Sequence, residues 1–288
     1  MISLRIEKND SEEISTMRKI KPIFLFADSQ VLFWHTKEGL FIERLRQTIE
    51  ADENRPEGEI TAAYIGASNG DKKEYYDIFV SAMKQIDITN CRHIKAKPKE
   101  ADFKYLRTAD LLLLAGGSIV KGWNAIQQTD LQQRIVDCYH NGAVLVGISA
   151  GAIQLGLRGW KMTKKIPKDL FQTFQIVPAV VDVNDEKDWI FLAQLVEHLG
   201  ETNRGYGIPA GGGAVYHPDW SFEAVRHHLV EYFYTDRQVK RSLIFPKQEG
   251  MPEEDTRDLD PRRGKVFKPD EIVSSGVIDI DPEIIEST

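Results

Sequence analysis

Gly147-Ile148-Ser149-Ala150-Gly151 directly follows the apolar run Ala143-Val144-Leu145-Val146. A buried strand that enters Gly-x-Ser-x-Gly and then a helix has the form of a nucleophile elbow, in which a sharp turn lifts the serine hydroxyl above the sheet edge. The chemistry of such a serine is attack on a carbonyl carbon. An ordinary βα turn that happens to hold a serine fits the same five residues. A second glycine pair, Gly116-Gly117, closes the run Leu111-Leu112-Leu113-Leu114-Ala115 and precedes Ser118. Without a Cβ in the way, backbone N–H groups there can approach a ligand closely. Gly117 and Ala150 are thus candidates for the two halves of an oxyanion hole. Gly116 and Ser118 are candidates for holding substrate beside it.

Serine attack needs a base, and the chain has seven histidines. His217 follows Ala214-Val215-Tyr216 and has Asp219 two residues on, which makes it a possible oriented base. His35 follows the first strand. His140, His198 and the pair His227-His228 read as helix ends or helix surface. Asp182, Asp185, Glu186 and Asp188 cluster in one loop. A carboxylate there is a base only if burial or like charges raise its pKa; otherwise the loop is a solvated acidic segment that repels acidic substrates or attracts basic ones. Trp34, Trp123, Trp160 and Trp189 fit either a pocket lining or core packing.

These residues need a scaffold, and the hydrophobic pattern supplies one. Short apolar runs alternate with helix-period segments, the signature of a parallel sheet with crossover helices. Strands are expected at 23–26, 60–65, near 93–96, at 111–114 and at 143–146. Helices between them carry Phe41, Leu45 and Ile49, then Tyr75, Phe79 and Met83, then Trp123 and Ile126, then Leu131, Ile135 and Cys138. Further on, strand material surrounds Pro178, a helix spans Trp189 to Leu199, and two short strands flank Gly211-Gly212-Gly213. Ser221 is expected to cap a last helix bearing Phe222, Val225, Leu229 and Phe233. The expected organisation is an N-terminal extension over 1–20, one α/β domain over 21–235, and a polar, proline-containing tail over 236–288. Val277 to Ile280 alternates enough for an added edge strand. In such sheets ligands bind at the carboxyl ends of the strands, where Asp28, the Gly66–Asp71 segment, Gly116-Gly117 and Ser149 all fall.

With 288 residues and 42% apolar content the chain suits a globular α/β protein. Its formal charge of −7 argues against nucleic acid as the main partner, because no basic excess is present to neutralise phosphates. The amino terminus has no apolar stretch of a signal peptide, and no run is long enough to span a bilayer. A cytoplasmic location without membrane partners is the expectation. Cys91 and Cys138 form no CxxC, and no GxGxxG or Walker-type loop follows the first strand. No metal and no cofactor is expected.

The run Leu111–Gly117, followed about thirty residues later by Gly147-Ile148-Ser149-Ala150-Gly151-Ala152, resembles the peptidase E and cyanophycinase family, peptidase family S51. Tyr64-Ile65-Gly66-Ala67-Ser68 resembles that family's second strand, and Gly205-Tyr206-Gly207-Ile208-Pro209 resembles its late strand. The resemblance implies a doubly wound, mostly parallel sheet flanked by helices, of the class I glutamine amidotransferase-like type. It also implies a serine hydrolase acting on a small peptide or amide next to aspartate, with Ser149 attacking, a histidine as base, and Gly117 and Ala150 on the oxyanion. Self-association is an expectation at the level of the fold alone. The sequence departs from the family at the base. Asn184 occupies the position where the histidine belongs, next to Asp182 in the substrate loop, and no acidic residue follows Pro209. An amide has no basic site near neutral pH. Two readings therefore stand: a hydrolase whose base lies elsewhere, and a catalytically inactive homologue that keeps the pocket for binding a ligand or protein.

Overall fold

Unbroken apolar strands require cover on both faces of a sheet, and the computed structural model, which describes residues 18–161, 169–184 and 189–247, provides it. The chain opens with β1 (Ile23–Phe26), a small hairpin of β2 (His35–Thr36) and β3 (Gly39–Leu40), and helix α1 (Glu43–Glu50). Strand–helix units follow: β4 (Thr61–Ile65) with α2 (Lys73–Gln85), β5 (Asn90–Ile94) with α3 (Glu100–Leu106), and β6 (Leu111–Leu114) with α4 (Ile119–Gln127) and α5 (Leu131–His140). Strand β7 (Val144–Ile148) runs into α6 (Ala150–Leu155), and a minor pair, β8 (Arg158–Gly159) and β9 (Phe171–Gln172), comes next. The remainder is β10 (Val180–Val183), α7 (Ile190–Leu199), β11 (Arg204–Ile208), β12 (Gly213–Tyr216), β13 (Phe222–Val225), β14 (Leu229–Thr235) and β15 (Gln238–Ile244).

The main sheet has seven strands in the order β13-β12-β1-β7-β6-β4-β5. From β1 to β5 the neighbours are parallel, whereas β12 and β13 are antiparallel additions. The expected mostly parallel α/β sheet is therefore the one observed. Alternation along each strand feeds two cores. Ile23 and Leu25 enter one, with Leu112, Leu145, Trp123 and Ile135; Phe24 and Phe26 enter the other, with Leu113, Val146, Leu45 and Phe79. A second sheet, β10-β11-β14-β15, packs a separate cluster of Val180, Leu192, Val196 and Val230 beneath α7. The sheets meet where Tyr206 stacks on Phe222 with ring centroids 3.8 Å apart.

The carboxyl-terminal part departs from expectation. In place of a helix capped by Ser221 stand β13 and β14. Phe222, Val225, Leu229 and Phe233 are spaced as on a helix, yet the chain bends at Arg226, whose φ is 66°. Thr235 then pairs with Gln238 across Asp236 and Arg237, whose φ values of 53° and 63° are those of a two-residue type I′ hairpin. Residues 238–244, expected within the tail, thus form a paired strand, and folded structure continues beyond 235. His227 and His228 sit in the β13–β14 connection, not on a helix. The candidate edge strand at 277–280 lies outside the described residues.

Candidate active site

Strand order brings the carboxyl ends of β1, β7, β6 and β4 side by side, so the loops after them share one sheet edge. Ser149 joins β7 to α6 with φ 51° and ψ −114°. Positive φ in a residue with a side chain is strained by on the order of 1–3 kcal/mol and persists only where surroundings impose it. Here the Ser149 N–H donates to Phe26 O at 2.8 Å, and the Ile153 N–H donates to Ser149 O at 3.1 Å. The flanking glycines are required by space. A Cβ on Gly147 would lie 2.7 Å from Ala152 Cα, and one on Gly151 would overlap Leu114 O. The helix therefore crosses the sheet at a distance only glycine permits, which turns the serine outward.

The Gly116-Gly117 loop lies against this turn. A Cβ on Gly116 would stand 3.1 Å from Ser149 Cβ. Gly117 has φ 132°, and a side chain there would collide with Ser68 O. The loop is held by the Ser118 N–H, which donates to Ser68 O at 2.8 Å. Buried Gln154 of α6 ties the same three loops together, its Nε2 donating to Ile119 O at 2.9 Å and to Ser68 Oγ at 3.2 Å. Among the described residues the N–H groups of Gly116, Gly117 and Ala150 donate to no backbone carbonyl. Ser118, expected to hold substrate, instead caps α4, its Oγ accepting from the Lys121 N–H.

Ser149 opens onto a cavity of about 220 Å³ that Gly116, Gly117, Asn184 and Asp28 also line. Asn184, with φ 62°, is fixed by its N–H to Ile208 O at 3.0 Å and by its Nδ2 to Ala27 O at 2.8 Å. Among the described residues no imidazole lines this cavity, and Ser149 Oγ makes no hydrogen bond there. His217 is far from it. Phe26 pairs with Gly213 but Ile23 pairs with Tyr216, so His217 follows β12 at the opposite edge of the sheet, three strand residues or roughly 10 Å away. It pairs with Glu223 at 3.0 Å, while Asp219 accepts from Ser221. His217 as the base of Ser149 is thereby corrected. His35 is exposed on β2 and does not line the cavity. Asp182, 7% exposed, accepts from the Val183 N–H at 2.8 Å and is no part of the cavity wall. Asp185, Glu186 and Asp188 lie outside the described residues.

Asp28 is the charged group of the cavity. Its Oδ1 accepts from the Gln30 N–H at 2.8 Å and its Oδ2 from the Gly211 N–H at 2.6 Å. The other walls come from Leu32 and from α2, through Tyr75, Ile78 and Phe79. Sequence reasoning missed the α2 wall because its residues recur at core spacing; the exposure of Tyr75 (48%) and Ile78 (37%) is visible only in the fold. None of the four tryptophans considered lines the cavity; Trp123, Trp160 and Trp189 are buried in the cores. Burial pushes the Cys91 thiol up to about 11 and the Cys138 thiol to about 12, so neither is a ready nucleophile. Among the described residues no group of three His, Cys, Asp or Glu side chains could hold a metal ion, and no helix is long and apolar enough to cross a membrane.

Residues 36–211 match the model of peptidase family S51. Among solved structures, a peptidase from an acI-B1 actinobacterium is similar at 13% identity, covering 81% of this chain and 96% of its own, with a TM-score of 0.56. A protein of Listeria monocytogenes EGD-e provisionally named peptidase E is similar at 13% identity over 75% of this chain and 100% of its own, with a TM-score of 0.47. At that identity the likeness of the former concerns the fold. No curated protein matches the chain.

Proposed function

The chain belongs to peptidase family S51, and from that premise we propose that it is a serine-nucleophile hydrolase of peptide or amide bonds. The observation that carries this reading is the strained backbone of Ser149 (φ 51°) beside N–H groups of Gly117 and Ala150 that no backbone carbonyl among the described residues engages. In this reading Ser149 Oγ attacks the carbonyl carbon and loses its proton to a base. The oxyanion accepts from Gly117 and Ala150, the leaving amine departs with a proton, and water releases the acyl group. Asn184 cannot take the proton, and both oxygens of Asp28 already accept backbone N–H groups. Acylation by activated electrophiles is then expected to outpace turnover of ordinary amides.

A second reading, a catalytically inactive homologue that uses the cavity for binding, is favoured by one observation: among the described residues no imidazole lines the cavity, and the Nδ2 of Asn184, the residue that the family resemblance puts at the base position, is committed to Ala27 O. Treatment with a fluorophosphonate followed by peptide mapping separates the two. Labelling at Ser149 that is lost in Ser149→Ala supports the hydrolase. An unlabelled Ser149 in folded protein overturns it and leaves the binding role.

A further inference from the structure

The cavity beside Ser149 has the wrong chemistry for an acidic side chain. Its described wall residues include no lysine, arginine or histidine, and Asp28 is the charged one. Among the described residues, an aspartyl carboxylate placed there would lose water, meet no cation and face a like charge. The larger wall residues are apolar: Leu32, Ile78, Phe79, Leu113 and Ile148. Tyr64 adds a phenol that receives a hydrogen bond from Asn69 Nδ2 at 2.6 Å, and burial raises its pKa to about 12, so it stays neutral. Tyr75 and Ile78, both partly exposed on α2, carry the apolar wall outward to the mouth. At about 220 Å³ the cavity falls below the roughly 300–1,000 Å³ of sites that hold a whole ligand. It is sized for one side chain.

We propose that this cavity receives a neutral aromatic or branched aliphatic side chain of the substrate, so that the protein acts on peptides or amides bearing such a residue in place of aspartyl ones. Where the scissile bond falls rests on the reading of Ser149 as nucleophile; the preference of the cavity does not. A favourable transfer of apolar surface out of water drives recognition here, and Gly116, Gly117 and Ser149 at one end of the same cavity bring the adjoining carbonyl to the serine.

Two measurements separate specificity from chemistry. The first titrates the Ser149→Ala chain with N-acetyl-phenylalaninamide, N-acetyl-leucinamide and N-acetyl-aspartamide, following binding by NMR shifts. The first two should bind at least about tenfold more tightly than the third, the factor expected for burying one such side chain. Ile78→Arg, at a partly exposed helix position, should weaken the first two and strengthen the aspartyl compound. Equal or tighter binding of the aspartyl compound by the Ser149→Ala chain overturns the proposal, as does failure of the aromatic and aliphatic compounds to bind. The second measurement compares Ser149 labelling in the native chain by phosphonates with the same three side chains. The same order supports the proposal. Fastest labelling by the aspartyl probe overturns the preference and leaves Ser149 as nucleophile. An unlabelled Ser149 with the binding order intact supports the preference and removes the hydrolase reading.

Discussion

At residue scale the proposed site consists of a serine held under strain and, at the position proposed for the base, an amide. Asn184 Nδ2 donates to Ala27 O at 2.8 Å, a contact that a histidine Nδ1–H can also make. Asn184→His is therefore expected to keep that anchor and present Nε2 as an acceptor in the cavity, raising amide turnover by on the order of 100- to 10,000-fold, the usual range for a positioned general base. Initial rates on a chromogenic amide, with Asn184→Ala as the control, check this; equal rates in both variants would place the base elsewhere. Gly117→Ala is the complementary case. Its side chain would collide with Ser68 O, displacing the N–H, and Ser149 labelling should slow by about 100- to 1,000-fold. Ser149, Gly116 and Gly117 are legible in sequence because Gly-x-Ser-x-Gly and Gly-Gly each close an unbroken apolar run, which places them at strand ends. The α2 wall is not, since Tyr75, Ile78 and Phe79 have the spacing of an ordinary packed face. The place of His217 is not legible either, because the pattern of β12 shows a strand but not that it runs antiparallel to β1.

At element scale the central strands were legible because burial on both faces leaves runs such as Leu111–Leu114 without a polar interruption. The approach of α6 to β6 is what makes the elbow, and it is testable at Gly151. A methyl group there would overlap Leu114 O, a backbone atom that cannot swing aside. Gly151→Ala should destabilise the protein by about 1–3 kcal/mol and slow Ser149 labelling, read by urea unfolding and by the fluorophosphonate. The β14–β15 hairpin was hidden for an opposite reason. Its two-residue turn is Asp236-Arg237, both with positive φ, without the glycine that usually announces such a turn. Asp236→Asn combined with Arg237→Gly should relieve that strain and raise stability by on the order of 1 kcal/mol, measured by thermal unfolding. A loss of stability would mean that the turn is held by side-chain contacts, such as the pair of Lys240 with Asp236 at 2.8 Å.

On the scale of the whole molecule, the family match ends at residue 211, before β12, β13 and the last hairpin are reached, and these late strands are joined to the early core by side-chain contacts as well as by the sheet. Glu223 of β13 is one such attachment. Arg44 of α1 grips it with two nitrogens at 2.8 and 3.0 Å, and His217 adds a third contact at 3.0 Å. Burial alone would raise the Glu223 carboxyl, but the hydrogen bonds from His217 and Arg44 outweigh it and hold the pKa at about 2, against an ordinary 4.5. Because the folded value is the lower one, the unfolded chain binds the proton more readily. The stabilisation is therefore complete above about pH 4.5 and is lost as pH falls toward 2. At face value the shift is worth roughly 3 kcal/mol; the Arg44 side chain is 37% exposed, and solvent screening reduces this to the order of 1–2 kcal/mol. Asp52, whose pKa is also lowered despite its burial because Arg18 and Lys21 bind it, adds acid sensitivity in the same direction. Glu223→Gln should be less stable than the native chain at pH 7, and the difference should shrink through the range from pH 4.5 to pH 2, as urea midpoints at several pH values would register. A difference that stays constant with pH would assign Glu223 a packing role and leave some other contact to hold the last strands to the first helix.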